Sequence, residues 1–260
     1  MADGVGGAHR WLRTLVIAGV GLASMAVPVA EAATFSVNPT QIFLSERARS
    51  GLLTVRNEST ETLRFQLTAF AWQQSPSGQI ELGPTKDIVF FPALLTLGPR
   101  EERRIRIGSM AATGAAEKTY RIFVEELPPL ERTAGSPPVG VRVLTKMGVP
   151  VFLRPTKEAA SAALGSLALR DSTFSFTLSN TGTVHVMPSR IAVRALDAAE
   201  RPIFARELSG WYILAGGRRD FEMAVPDVEC ARVRSLVVEV DLGSASVTNR
   251  FAPAAEASSR

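Results

Sequence analysis

Histidine and cysteine, the residues that most often take part in catalysis and metal binding, are scarce in this sequence. It contains two histidines, His9 and His185, and one cysteine, Cys230. A nucleophile pair needs a histidine beside a serine or cysteine, and the stretch around His185, TGTVHVMPS, has no nucleophile turn. A metal site needs several ligands at short spacing, and neither a histidine pair nor a cysteine pair occurs. The sequence therefore predicts no catalytic residue, no metal site and no cofactor.

The acidic pairs Glu101–Glu102 and Glu125–Glu126 do not change this conclusion. Neighbouring residues of a strand point to opposite faces, so the two carboxylates of each pair cannot converge on one substrate. The single cysteine, Cys230, excludes an intrachain disulfide, and we expect it to be partly buried and inert. These exclusions favour a binding protein over an enzyme.

The charge of the chain is mildly positive and spread along its length. The formal net charge is +4, and the densest basic run, PREERRIRIG, interleaves acids with its arginines. Nucleic-acid binding requires a patch of one sign or a recognised motif, and the sequence has neither. We therefore expect no nucleic-acid partner.

The first residues resemble a targeting segment rather than part of a folded domain. Arg10 and Arg13 precede an uncharged run, TLVIAGVGLASMAV, which is followed by AEA, the small-residue pattern that a signal peptidase reads. The run is shorter than the roughly 20 residues that span a bilayer, which disfavours the alternative of a membrane anchor. The sequence predicts a signal peptide over residues 1–32, export of the mature chain, and no stable insertion in a membrane.

The rest of the chain consists of short alternating segments such as GLLTVRN, LRFQLTAFAW and TFSFTLSN, which end in turn residues. This rhythm is typical of an all-β sandwich. LLTVRNEST (52–60) and FSFTLSNTGT (174–183) also match, since both run into an asparagine, Asn57 or Asn180, that can bond its own backbone in a turn. The sequence predicts two related β-sandwich domains, residues 33–153 and 156–253, joined at Arg154–Pro155 and followed by a flexible tail, residues 254–260.

Several motifs in order carry a resemblance to a known family: FSVNPTQIFL, SGLLTVRNEST, LTLGPREERRIRIG, EKTYRIFVEELPP and VGVRVLTKMGVPVFLRP. Together they resemble the periplasmic chaperones of the chaperone–usher pilus pathway, the PapD-like family, over residues 34 to about 252. The resemblance implies two immunoglobulin-like β-sandwich domains set at an angle and a location in the periplasm. It also implies capture of pilin subunits by donor-strand complementation and their delivery to an outer-membrane usher. The alternative is an exported β-sandwich adhesin or envelope scaffold without chaperone activity.

The resemblance implies that the strand over residues 139–152 is the donor strand, which completes an unfinished sandwich in the subunit. Its alternation places one set of side chains on one face. The alternative is that this strand only closes the core of its own domain. The candidate subunit-binding residues are Val139, Val141, Val143, Thr145, Met147 and Val149.

Two further features follow from the resemblance. The family anchors the subunit's terminal carboxylate with an arginine and a lysine, but Gln41 and Pro150 stand at those positions here. Gln41 retains an amide donor, and Lys146 or Arg142 is a candidate substitute cation, with simple solvation of both as the alternative. The family's interdomain ion-pair cluster matches a set of three residues, for which independent surface charges are the alternative. This set is Glu117, Arg154 and Asp241.

Overall fold

The computed structural model describes residues 35–130, 143–243 and 245–253 of the chain. The predicted signal peptide, residues 1–32, and the predicted tail, residues 254–260, lie outside these ranges. Within the described residues, no helix combines the length and the apolar character that crossing a membrane requires.

The described residues form two β-sandwiches, which confirms the predicted all-β fold. The first sandwich covers residues 35–153 and the second covers residues 162–251. The strands of the first are β1 (Phe35–Asn38), β2 (Ile42–Leu44), β3 (Ser50–Asn57), β4 (Leu63–Gln74), β5 (Ile80–Pro84), β6 (Ile88–Phe91), β7 (Leu94–Leu97), β8 (Glu102–Ser109), β9 (Lys118–Leu127) and β10 (Lys146–Leu153). The elements of the second are β11 (Ala162–Arg170), β12 (Thr173–Asn180), β13 (Arg190–Leu196), β14 (Pro202–Leu208), β15 (Arg218–Ala224), α1 (Asp227–Cys230), β16 (Ser235–Asp241) and β17 (Ser246–Phe251).

Alternation of apolar and polar residues determines which side of each strand is buried. In β8, Ile105 and Ile107 are fully buried, whereas the alternating residues Arg104 and Arg106 are exposed. Successive side chains of a strand point to opposite faces, so this pattern lets one face of β8 join the core while the other meets water.

The first sandwich packs a sheet of order β1-β3-β8-β6 against a sheet of order β2-β10-β9-β4-β5, in which β7 also pairs with β4. Its core includes Phe65, Leu97 and Ile122. The second sandwich packs β11-β12-β15 against β14-β13-β16-β17 around Phe174, Phe176 and Val238. Most of these pairings are antiparallel, but β10 runs parallel to β2.

Asn57 and Asn180 occupy matching positions in the two sandwiches and confirm the predicted turns. The Asn57 side chain accepts a hydrogen bond from the Ser59 amide and donates to the carbonyls of Glu61, Leu97 and Gly98. The Asn180 side chain accepts from the Gly182 amide and donates to the carbonyls of Val184 and Ile213. Each asparagine thus satisfies buried backbone groups at the end of a strand.

Candidate functional site

Strand β10 has an edge that its neighbours cover only in part. On one side, β9 pairs with β10 along its whole length, from Lys146 to Leu153. On the other side, β2 pairs only with Val151–Leu153. Along residues 146–150 no described strand covers that side, and we call this segment the β10 edge. An uncovered edge offers backbone hydrogen-bonding groups to a strand from another chain.

The structure distributes the predicted donor residues between the domain core and the solvent. Val149 is buried and Met147 is partly buried, and both pack in the core of the first sandwich. Thr145 and Val143 precede the strand, and Val143 is 53% exposed. Val139 and Val141 lie outside the described residues. Val149 and Met147 therefore help to close the core of their own domain, whereas Val143 is open to solvent.

Beside the β10 edge, Arg121 of β9 lies close enough to Tyr212 of the second sandwich to interact with it electrostatically. The register of the sheet places it between Pro150 of β10 and Phe70 of β4. Its guanidinium carbon lies 4.3 Å from the centroid of the Trp72 ring. Its Nε atom is buried without a hydrogen-bond partner, and no ion pair joins Arg121 to an acid among the described residues. Burial lowers the pKa of Arg121, which is the cost of holding an unpaired cation there.

Two polar groups from different sandwiches lie near Arg121. Gln41, just before β2, donates a side-chain hydrogen bond to the hydroxyl of Tyr212 in the second sandwich. Burial raises the pKa of Tyr212, and the Gln41 hydrogen bond and the charge of Arg121 oppose this rise. Because the Tyr212 oxygen accepts from Gln41, its own hydrogen remains available to an acceptor. Arg121, Gln41 and Tyr212 form what we call the anion site.

Gln41 was predicted from the sequence as a carboxylate contact; in the structure its side chain bonds Tyr212, and contact with a carboxylate stays a prediction. Lys146, the other predicted contact, forms a 2.8 Å ion pair with Glu125 in which both side chains are about half exposed. Sequence reasoning missed Arg121. Arg121 lies opposite Pro150, the position where the family's lysine was expected. This could have identified it, but only once the register of β9 and β10 is known.

The three residues of the predicted ion-pair cluster have different partners. Arg154 pairs with Glu158 at 3.4 Å, and its guanidinium carbon lies 4.2 Å from the centroid of the Phe43 ring. Asp241 accepts a hydrogen bond from the Gly243 amide. No ion pair joins Glu117, Arg154 and Asp241 to one another in the part of the chain that the structure describes. The reason is that the Glu117 side chain turns toward the second sandwich instead.

Glu117 forms a direct link between the sandwiches with His185. Its amide donates to the Thr183 carbonyl at 2.8 Å. Its Oε2 atom accepts from the His185 amide at 2.9 Å and lies 2.7 Å from His185 Nδ1. The Glu117 side chain is fully buried, and the His185 ring stacks on Phe152 with centroids 3.9 Å apart. This pair occupies the place where the three-residue cluster was expected.

The β4–β5 hairpin makes a second link between the sandwiches. The Gln74 side chain donates to the Tyr212 carbonyl at 2.8 Å and accepts from the Leu214 amide at 3.1 Å. At the hairpin turn, the Pro76 carbonyl accepts from the Asp220 amide at 3.1 Å. The sandwiches are thus joined on both sides of a cluster of buried side chains, namely Trp72, Phe152, Tyr212 and Leu214.

The described residues contain no group of three or more histidine, cysteine, aspartate or glutamate side chains that could hold a metal ion. The candidate site consists of the β10 edge and the Arg121 guanidinium, which has no acidic partner among the described residues. These features suit the binding of a polypeptide.

The family model described as pili and flagellar-assembly chaperone, PapD N-terminal domain, matches residues 34–159. The matched range includes the whole of the first sandwich. No curated protein matches the sequence.

Solved structures of pilus chaperones share the fold over 84–86% of the chain. One is the CsuC–CsuE chaperone–tip adhesion subunit pre-assembly complex from the archaic chaperone–usher Csu pili of Acinetobacter baumannii, with a TM-score of 0.55, 14% identity, and coverage of 84% of this chain and 98% of the matched chain. The class 5 fimbriae chaperone CfaA matches with a TM-score of 0.55, 13% identity, and coverage of 85% and 100%. The Salmonella enterica SafA pilin complex with the SafB chaperone matches with a TM-score of 0.53, 11% identity, and coverage of 86% and 98%.

Proposed function

We propose that this protein is a periplasmic assembly chaperone that captures pilus subunits on the β10 edge and delivers them to an outer-membrane usher. The observation that carries the proposal is the uncovered edge at residues 146–150, which lies beside the unpaired Arg121. The match of the PapD N-terminal domain model to residues 34–159 supports it. The predicted signal peptide over residues 1–32 accounts for export.

In this proposal, a strand of the subunit pairs with the backbone of the β10 edge. Pro150 has no amide hydrogen, so the new ladder loses a donor at that position. Val143 and Leu144, both exposed, offer apolar side chains just before the β10 edge in the chain. Val139, Val141 and Thr145 extend the same predicted face and remain part of the proposed donor segment. Each apolar side chain that becomes buried in the subunit contributes roughly 1.5–3 kcal/mol before ordering costs.

The anion site is the proposed anchor for the terminal carboxylate of the subunit. Arg121 supplies the charge, and the Gln41–Tyr212 pair supplies a hydroxyl donor. A carboxylate bound there would give the Arg121 guanidinium the partner that it lacks in the free protein. We assign the anchoring charge to Arg121 in preference to Lys146, because Lys146 is already paired with Glu125.

The proposal is tested by co-expressing the chaperone in a periplasm with the fibre subunit encoded beside it and measuring co-purification. We expect Val143→Glu to abolish capture, because a charge would enter an apolar groove of the subunit. Val228→Glu is the matched control, since Val228 is 76% exposed on α1 of the second sandwich. Retention of the subunit by the Val143→Glu variant contradicts the donor-strand proposal. Failure of the unaltered protein to retain any subunit favours the adhesin or scaffold alternative.

A further inference from the structure

A half-exposed methionine lies beside the anion site on the second sandwich. Val186 and Ile213 exchange both backbone hydrogen bonds as an antiparallel pair. The next residues along the chain, Met187 and Tyr212, therefore face each other as a pair without backbone hydrogen bonds, the kind that brings side chains closest. Met187 is thus a direct neighbour of the tyrosine whose hydroxyl belongs to the anion site.

The exposure of Met187 contrasts with that of its neighbours. Its side chain is 49% exposed, whereas Val186 and Tyr212 are buried at 4% and 6%. Trp211, whose ring centroid is 5.3 Å from that of Tyr212, is also exposed. We call Met187 and Trp211 the apolar rim. Neither residue carries a charge, and methionine adapts its shape to irregular apolar partners.

We propose that the apolar rim receives the side chain of the subunit's last residue while the anion site holds its carboxylate. This inference rests on the proposed anchoring of the subunit's end at Arg121. The side chain and the carboxylate of a terminal residue share one Cα atom, so a carboxylate held at Tyr212 brings that side chain against the surface around Tyr212. The second sandwich then selects subunits whose chain ends in an apolar residue, because a charged side chain would lose water there without gaining a partner.

Synthetic peptides test this inference on the full chain without the natural subunit. The peptides share an alternating valine and threonine sequence and differ only at the end, which is phenylalanine with a free carboxylate, aspartate with a free carboxylate, or phenylalanine amide. Isothermal titration calorimetry measures their dissociation constants. We expect the unaltered protein to prefer phenylalanine to aspartate by about fivefold to tenfold, which corresponds to partial burial of one apolar side chain.

The variant Met187→Lys reverses this preference, because it places a cation where the terminal side chain lies. We expect it to bind the aspartate peptide more tightly and the phenylalanine peptide more weakly than the unaltered protein. Met187→Leu is the matched control and keeps the original preference. Met187→Gln removes the apolar surface without adding charge, and it should reduce the preference to about twofold or less.

The comparison of acid and amide peptides separates this inference from the proposed function. If the phenylalanine acid and its amide bind the unaltered protein equally, the anchor at Arg121 is wrong and the inference falls with it. If the acid is preferred but Met187→Lys and Met187→Gln leave the ratio of phenylalanine to aspartate unchanged, the anchor stands and the rim inference is overturned. Failure of every peptide to bind overturns both.

Discussion

Burial of the Arg121 guanidinium costs free energy in the free protein, and its proposed contact with a carboxylate stabilises the complex. The half-buried Arg121 guanidinium loses water, its Nε atom has no hydrogen-bond partner, and its contact with the Trp72 ring offsets only part of this cost. Such a group is retained at a site where a charged ligand supplies the missing hydrogen bonds. Stability and binding should therefore respond to its replacement with opposite signs.

We expect Arg121→Gln to weaken subunit capture by about tenfold or more, since hydrogen bonds to charged groups contribute about 1.5–3 kcal/mol. The same variant should unfold at a temperature equal to or above that of the unaltered protein. Co-purification and thermal denaturation measure the two effects. Lys146→Gln is the control for capture, because Lys146 belongs to an exposed ion pair. Equal losses in the two variants would argue against the assignment of the anchor to Arg121.

At the scale of single residues, the sequence indicated Gln41 but not its partners. The amide of Gln41 meets a tyrosine 171 positions later in the chain, and Arg121 reaches the site through the register of β9 against β10. Glu117 was expected to bind Arg154 and instead turns to His185. A residue type can be read from a motif, but a partner distant in sequence depends on packing and register.

At the scale of elements, alternation in the sequence was sufficient to predict strands and their turns. Strands such as β8 and β12 carry apolar residues at every second position, and the two asparagine turns follow from local backbone hydrogen bonding. The start of β10 was not predicted, because the apolar alternation begins at Val139 whereas the strand begins at Lys146. Alternation identifies a face that can be buried, and pairing with β9 decides where the strand begins.

The asparagine turns should contribute to stability because both asparagines are buried and bond backbone carbonyls. Asn57→Ala leaves the carbonyls of Glu61, Leu97 and Gly98 without that donor, and we expect a loss of about 2–4 kcal/mol in the free energy of unfolding. Urea denaturation followed by circular dichroism measures the loss. Asn249→Ala is the control, since the Asn249 side chain makes one hydrogen bond of 3.4 Å to the Leu164 carbonyl. A similar small effect for both variants would contradict this account.

At the scale of the whole molecule, the two sandwiches are joined by the Glu117–His185 pair and by the β4–β5 hairpin. The two-domain architecture was predictable because each half of the sequence repeats the same strand rhythm. The joint was not, because its residues come from loops and strand ends whose partners belong to the other half. Since the anion site contains residues of both sandwiches, its geometry depends on this joint.

A double-mutant cycle measures how strongly Glu117 and His185 interact. We expect His185→Phe, which preserves stacking on Phe152, to destabilise the protein by about 3 kcal/mol because it leaves a buried carboxylate short of a partner. In a Glu117→Gln background, the same change should cost less, with a coupling energy of about 1–3 kcal/mol. Chemical denaturation of the four proteins measures the cycle. Additive effects would show that the pair does not act as a unit.

Gln74 behaves toward the second sandwich as one extra peptide group would. Its side-chain amide gives a hydrogen to one backbone carbonyl and receives one from a neighbouring amide, so both ends of a single planar group are in use. Such a fit is directional: a slip of one position along the facing chain would set oxygen against oxygen. Only the correct alignment of the two sandwiches therefore satisfies both hydrogen bonds of the Gln74 amide.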